Sequence, residues 1–265
     1  MSAPRTTRAA ADGIRFAFGT LTALPVRVTR WDREAARAGM LAAPLAGLTV
    51  GLCAAALGGV LLLAGSGPLL AAVATTAVPA ALTRGLHLDG LADTADGLGS
   101  AKPAEDALRI MKRSDIGPFG VITLLLVLLA QVAALTELYD EGWAYGAAAA
   151  CVAAVTARLA LTLAARTGIP PARPDGLGAT VAGSVPARSA LLASLLVAAV
   201  VAAACGGLFG GYGALHHTLA LVAGLGAAHS LLTHCVRRFG GVTGDVFGGL
   251  AETAATATLI VLTLG

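Results

Sequence analysis

Three carboxylates, Asp89, Asp93 and Asp96, fall within eight residues in the run Arg84-Gly-Leu-His87-Leu-Asp89-Gly-Leu-Ala-Asp93-Thr-Ala-Asp96-Gly-Leu98. On a helix that turns about 100° per residue they sit at roughly 0°, 40° and −20°, so the three side chains share one narrow face. Like charges gathered in a partly desolvated place repel, or raise one another's pKa, unless a cation holds them. Oxygen ligands suit a hard divalent ion such as Mg²⁺, which binds through one or two carboxylates, several waters and the phosphates of a substrate. A diphosphate substrate is implied. The plainer alternative is a solvated acidic loop, although such loops seldom interleave acids with Gly90, Gly97 and apolar residues at helical spacing. His87, at the edge of the cluster, is a candidate general base or phosphate donor, or else an ordinary interfacial histidine.

Two further segments add to this chemistry. Leu108-Arg109-Ile-Met-Lys112-Arg113-Ser114-Asp115-Ile-Gly117-Pro-Phe-Gly120 supplies three cations within five residues. Guanidinium forks and an ammonium point charge are what phosphoryl oxygens need, both for binding and for stabilising a leaving phosphate. Anchoring by positive charge at the membrane is the competing reading for each. The run Gly240-Gly-Val-Thr243-Gly-Asp245-Val-Phe-Gly248-Gly-Leu-Ala-Glu252 places Asp245 and Glu252 two helical turns apart on one face, at the start of an apolar stretch where acids are costly and usually functional. The catalytic candidates are thus His87, Asp89, Asp93 and Asp96. Phosphate-binding candidates are Arg84, Arg109, Lys112, Arg113, Ser114 and Thr243, and the metal candidates are Asp89, Asp93, Asp96, Asp245 and Glu252. Which acid binds metal and which acts as base stays open at this level.

The elements that must position these residues are membrane spans. Hydrophobic residues make up 57% of the 265 before the 34 glycines are counted, against about 45–50% with glycine included in soluble domains, and charged residues are only 12%. Crossing about 30 Å of hydrocarbon takes roughly 20 apolar residues. Seven such stretches are found, at 39–64, 68–84, 118–137, 143–165, 188–210, 215–235 and 245–264. The expected fold is therefore an all-α polytopic bundle, read as a single membrane domain over 1–265. With the N-terminus inside and the C-terminus outside, all 18 basic residues fall in cytoplasmic segments or near the cytoplasmic ends of spans, Arg158 lying deepest. Residues 1–38 then form a cytoplasmic and interfacial segment against lipid headgroups, and 85–117 a cytoplasmic catalytic loop.

Other features read as structure. Gly47 and Gly51, at GxxxG spacing, let helix backbones approach closely. Cys53, Cys151, Cys205 and Cys235 stand alone in apolar runs and read as small buried hydrophobes. His229 and His234, five residues apart, do not share a helical stripe and suit hydrogen bonding within the bundle. The net charge of +3 lacks the basic stripe with interleaved aromatics of a nucleic-acid binder, so no nucleic-acid partner is expected.

Taken together, the run His87 to Leu98, the Leu108 to Gly120 segment, Gly-x-Thr-Gly-Asp at 241–245 with Glu252 after it, and Phe18-Gly-Thr-Leu-Thr-Ala-Leu-Pro25 resemble the cobalamin synthase family, adenosylcobinamide-GDP ribazoletransferase. They follow the family's order from end to end. One departure stands out: where the family form reads Lys-Asp-Ser-Arg-Ile-Gly, this chain has Lys112-Arg113-Ser114-Asp115-Ile116-Gly117, with acid and base exchanged. The resemblance implies a Mg²⁺-dependent transfer of a cobinamide phosphate group from adenosylcobinamide-GDP to α-ribazole or its 5′-phosphate, releasing GMP, in the last steps of cobalamin synthesis. It implies small-molecule substrates handled on the cytoplasmic side of the plasma (inner) membrane, and leaves a homo-oligomer open. The acid spacing is also similar to that of CDP-alcohol phosphotransferases, so a membrane phosphotransferase acting on a CDP-alcohol or a polyprenyl diphosphate is the alternative. A cation transporter would place its acids near the bilayer midplane, whereas these cluster at the boundary.

Overall fold

The computed structural model describes residues 5–264; Met1 to Pro4 of the expected 1–38 segment, and Gly265, lie outside them. The order of elements is α1 (Arg5–Leu21), α2 (Arg33–Leu63), α3 (Pro68–Leu82), α4 (Leu86–Gly99), α5 (Ala104–Ile110), α6 (Pro118–Glu141), α7 (Trp143–Ala164), α8 (Gly176–Val181), α9 (Ala187–Phe239) and α10 (Gly244–Leu262), with no strand among the described residues. Helix starts follow local chemistry. Asp32 caps α2 by accepting from the amides of Glu34 and Ala35, and Pro68 and Pro118 open α3 and α6, where a missing N–H costs nothing.

The chain is a polytopic membrane helix bundle. Five helices, α2, α6, α7, α9 and α10, are long and apolar enough to cross a bilayer, and α3 and α4, bent against each other, together reach the length and apolarity of a sixth. Their outward faces carry large apolar side chains, with Leu63 91% and Leu196 66% exposed, which only lipid would solvate. Helix α7 is the axis of the bundle and is buried over most of its length. Its backbone meets α2 where Gly47 and Gly51 face Ala154 and Cys151: a Cβ on Gly47 would lie 2.5 Å from the Ala154 carbonyl oxygen. The Thr162 hydroxyl ties the same pair by donating to the Met40 carbonyl at 2.6 Å, and Thr75 and Tyr139 join α3 to α6 through their hydroxyls at 2.8 Å. In lipid such internal pairing is required of polar groups.

All seven apolar stretches lie in helices, but two boundaries differ from expectation. The stretches at 188–210 and 215–235 are arms of one 53-residue element, broken only at Gly210 (φ 72°, ψ −169°). A Cβ on Gly213 would stand 3.0 Å from the Cys205 carbonyl, although eight residues of unbroken helix would span about 12 Å. The arms therefore fold back on each other, and the turn needs one left-handed glycine rather than a four-residue loop. The 85–117 segment is likewise not a loop but two helices, α4 and α5. Between α3 and α4 the chain bends by 87°, with Arg84 and Gly85 both at positive φ. Helix α4 thus does not prolong the crossing and lies across the ends where α6 and α10 begin.

Candidate active site

Helix α4 brings its acids to the mouth formed by those helix starts. Close approach is set by Gly90, where a Cβ would fall 2.5 Å from the Asp245 carbonyl oxygen, and by Gly248, which packs on the His87 backbone. On the other side Thr243 caps α10, accepting from the Val246 amide at 3.2 Å and donating to Asp245 Oδ2 at 3.2 Å. Asp245 so sits in the first turn of α10, where the helix dipole favours a negative charge. The three aspartates of α4 share the helix face expected of them, yet their surroundings differ. Asp89 is exposed, Asp93 half-buried and Asp96 buried.

Asp96 is engaged by the fold. Its carboxylate accepts the amide of Gly117 at 2.7 Å and that of Gly120 at 3.0 Å, two donors that the start of α6 leaves without helical partners. Asp93 lies among charges of its own sign. Burial, with the charges of Asp245, Asp89 and Asp96 and against the pull of Arg173, pushes its carboxyl up to about 7. Among the described residues no three His, Cys, Asp or Glu side chains close on a common point as a metal cage would. The set Asp89, Asp93 and Asp245 fits instead a cation that takes one or two carboxylates and completes its shell with water and substrate oxygens. Glu252 stands deeper, receiving the Gln131 amide at 3.0 Å, and does not join that mouth.

The expected phosphate binders are dispersed. Arg109 is exposed and paired along α5 with Glu105 at 2.8 Å and Asp106 at 3.3 Å. Lys112 reaches Asp175 at 3.4 Å. Arg84, Arg113 and Ser114 are exposed, Arg84 in the turn before α4 and the others in the turn between α5 and α6. Of the expected set, Thr243 bonds Asp245 and Lys112 lies within electrostatic reach of it.

Arg173, which sequence reasoning passed over, is placed at the centre. Parallel pairing of Pro171 with Val242, through Ala172 N–H to the Val242 carbonyl at 2.9 Å and Val242 N–H to the Pro170 carbonyl at 3.0 Å, pins the loop after α7 against the start of α10. The guanidinium is then 3.5 Å from Asp245 and also donates to the Leu108 carbonyl. An arginine between two prolines in Pro171-Ala-Arg173-Pro174 was the available signal, because prolines fix a loop's direction. Arg158, the deepest of the basic residues in the sequence, lies buried in α7, beside His87. Burial, aided by that guanidinium, holds the His87 imidazole well below its usual range, so the ring is neutral and its Nδ1 has no partner.

The comparisons with known proteins agree on one family. The model of cobalamin-5-phosphate synthase matches residues 13–263. A Frankia casuarinae protein named adenosylcobinamide-GDP ribazoletransferase is 46% identical over 264 residues, 94% of each chain. Proteins of the same name from a Nocardioides species and from Bradyrhizobium diazoefficiens are 42% and 37% identical, covering 94% of this chain and 97% and 92% of their own. No solved structure matches.

Proposed function

The chain belongs to the cobalamin-5-phosphate synthase family, and from that membership we propose a Mg²⁺-dependent transfer joining adenosylcobinamide-GDP to α-ribazole or its 5′-phosphate. The observation that carries the site assignment is the convergence of Asp93, Asp89 and Asp245 with Arg173 at one mouth, an acidic cluster flanked by cations. Such a cluster suits a diphosphate bound with a divalent ion, the ion offsetting charge on the phosphate oxygens as the bond to the leaving group breaks. Asp93 and Asp245, with Asp89 beside them, are the residues to hold it.

The rest falls to side chains. Arg173 and Lys112 bind and orient the diphosphate oxygens. The acceptor hydroxyl attacks the phosphorus that carries the cobinamide arm; a new P–O bond forms, the bond to the bridging oxygen breaks, and its electron pair leaves with GMP. The proton of the attacking hydroxyl passes to a base, for which His87, with a buried and unpartnered Nδ1, is the candidate, although burial beside Arg158 weakens its hold on a proton. Asp96 locks α4 to α6, which fixes the acids in register.

We read seven crossings, α2, α3, α6, α7, the two arms of α9, and α10, with the acidic mouth at the cytoplasmic face of the plasma membrane. The basic residues of the loops at 84, 102–113, 166–188 and 237–238 all belong to that side in this arrangement. The test is GMP release by the purified full-length protein in nanodiscs. Release should require adenosylcobinamide-GDP, α-ribazole and Mg²⁺ together, should be lost in Asp89→Asn and Asp93→Asn, and should be absent with a CDP-alcohol or a polyprenyl diphosphate as donor. Turnover of those donors, or full activity in both variants, would refute the assignment.

A further inference from the structure

A crevice of about 240 Å³ opens between α7, the second arm of α9 and α10. Ala160 of α7, Ala228 and Leu232 of α9 and Leu250 of α10 give it apolar walls, and Arg166 and His229 are its polar members. Leu250 lies about 140° around α10 from Asp245, so the crevice faces away from α4 and stands apart from the acidic mouth. Backbone pairing places Arg166. The Thr167 amide donates to the Val185 carbonyl at 2.7 Å and the Val185 amide to the Ala165 carbonyl at 3.0 Å, which holds the chain just past the last turn of α7. Its Nη1 donates to the Leu163 carbonyl at 2.7 Å, and no acidic side chain pairs with it among the described residues. His229 is exposed and forms no hydrogen bond among them. The same pairing sets Arg188, exposed in the first turn of α9, at this end of the bundle. A helix start disfavours a cation, so α9 itself gains nothing from that arginine.

We propose that this crevice binds an acidic membrane phospholipid, with its phosphate on Arg166 and His229 and one acyl chain between α7 and α9. Depth fits that ligand. Arg166 follows the end of a crossing, where lipid phosphates stand, and Ala160 lies six residues deeper, on the hydrocarbon side. Water does not suit the space, because a buried water needs two to four polar partners and these apolar walls offer none. Charge selects among lipids. An arginine without an acidic partner attracts the net charge of an acidic headgroup, whereas a zwitterionic headgroup brings its own cation to the same place. A lipid held here touches α7, α9 and α10 together and so braces the helix that carries Asp245. The inference is independent of the transfer reaction.

The experiment titrates the purified full-length protein with phosphatidylglycerol, phosphatidylcholine or inorganic phosphate, and reads retained lipid by native mass spectrometry and Tm on the same samples. Wild type should hold phosphatidylglycerol roughly fivefold more tightly than phosphatidylcholine, with Tm raised by about 2–4 °C, as expected for one ionic contact at the membrane surface. Arg166→Gln should lose both effects. Ala228→Leu, which puts a larger side chain into the crevice, should lose them too, and the exposed His229→Leu keeps the test sound where that variant fails to fold. Arg237→Gln, at an exposed arginine near the end of α9 and outside the crevice, should behave as wild type. Retention unchanged in Arg166→Gln and His229→Leu, equal binding of phosphatidylcholine, or an equal loss in Arg237→Gln would overturn the proposal. A Tm raised as much by inorganic phosphate at the same concentration would overturn it by making the ligand a free anion. Retention kept in a folded Ala228→Leu would overturn it by placing the acyl chain elsewhere.

Discussion

Asp96 accepts the backbone amide of Gly117 at 2.7 Å, so one acid of the α4 triplet is spent on joining α4 to the first turn of α6. Its second oxygen accepts from Gly120 at 3.0 Å. Asp96→Asn leaves one acceptor and turns an N–H₂ toward an N–H donor. Hydrogen bonds to a charged group contribute about 1.5–3 kcal/mol each. The variant should therefore lose thermal stability as well as GMP release. Asp89→Asn, at an exposed position without such partners, should keep the wild-type Tm while losing release. Equal melting curves for the two variants would contradict this division of labour.

The approach of α4 to α10 has no slack at Gly90. The Cβ of Gly90→Ala would meet the Asp245 carbonyl oxygen at 2.5 Å and its Cα at 3.0 Å, and both are backbone atoms that cannot rotate away. Overpacking of this kind costs about 1–3 kcal/mol. Because the strain falls between Asp93 and Asp245, a shift approaching 1 Å should lower kcat/KM by on the order of 100-fold. Thermal melts and steady-state rates on the same preparation check both halves; near-normal rates would show that the spacing of the two helices is not critical.

How much of this was legible in the sequence depended on how far each residue's environment is set locally. The helical face shared by Asp89, Asp93 and Asp96 follows from spacing alone, and the bundle follows from apolar runs, so both could be read. The separation of Asp96 from its neighbours could not, because the amides that take its oxygens lie more than twenty residues away at the start of α6. The prolines around Arg173 mark a fixed loop but not where it points, for the same reason: a backbone pairing between Pro171 and Val242 carries it to Asp245. Arg109 illustrates the converse. A cation in a promising motif is turned aside by Glu105 and Asp106, one turn away on its own helix.

Removal of Arg173 should separate metal binding from donor binding. Its guanidinium partly offsets the charge of Asp245 at 3.5 Å and of Asp93. Arg173→Met takes that cation away, so the remaining carboxylates should hold Mg²⁺ more tightly and the Mg²⁺ concentration for half-maximal rate should fall. The diphosphate loses its fork at the same time, and the donor KM should rise roughly tenfold or more. Arg173→Lys should recover only part of the donor affinity, because an ammonium makes no bidentate contact. Parallel movement of both quantities in one direction would remove Arg173 from the site.

The fold-back at Gly210 and the sidedness of the mouth can be checked together by labelling. Ser114 is exposed in the turn between α5 and α6, and Tyr212, 65% exposed, stands beside the Gly210 turn at the opposite end of the bundle. In a background with the four native cysteines replaced, Ser114→Cys should react with a membrane-impermeant maleimide only in inverted vesicles. Tyr212→Cys should react in intact cells. The logic rests on length: each arm of α9, 187–209 and 211–239, exceeds the roughly 20 residues that span the hydrocarbon. An unbroken α9 would extend for about 80 Å, more than twice that thickness, leaving one end far out in water. Reaction of Ser114→Cys from outside intact cells would place the acidic mouth on the wrong side for substrates made in the cytoplasm. Protection of Tyr212→Cys on both sides would show that the arms do not turn at the outer surface.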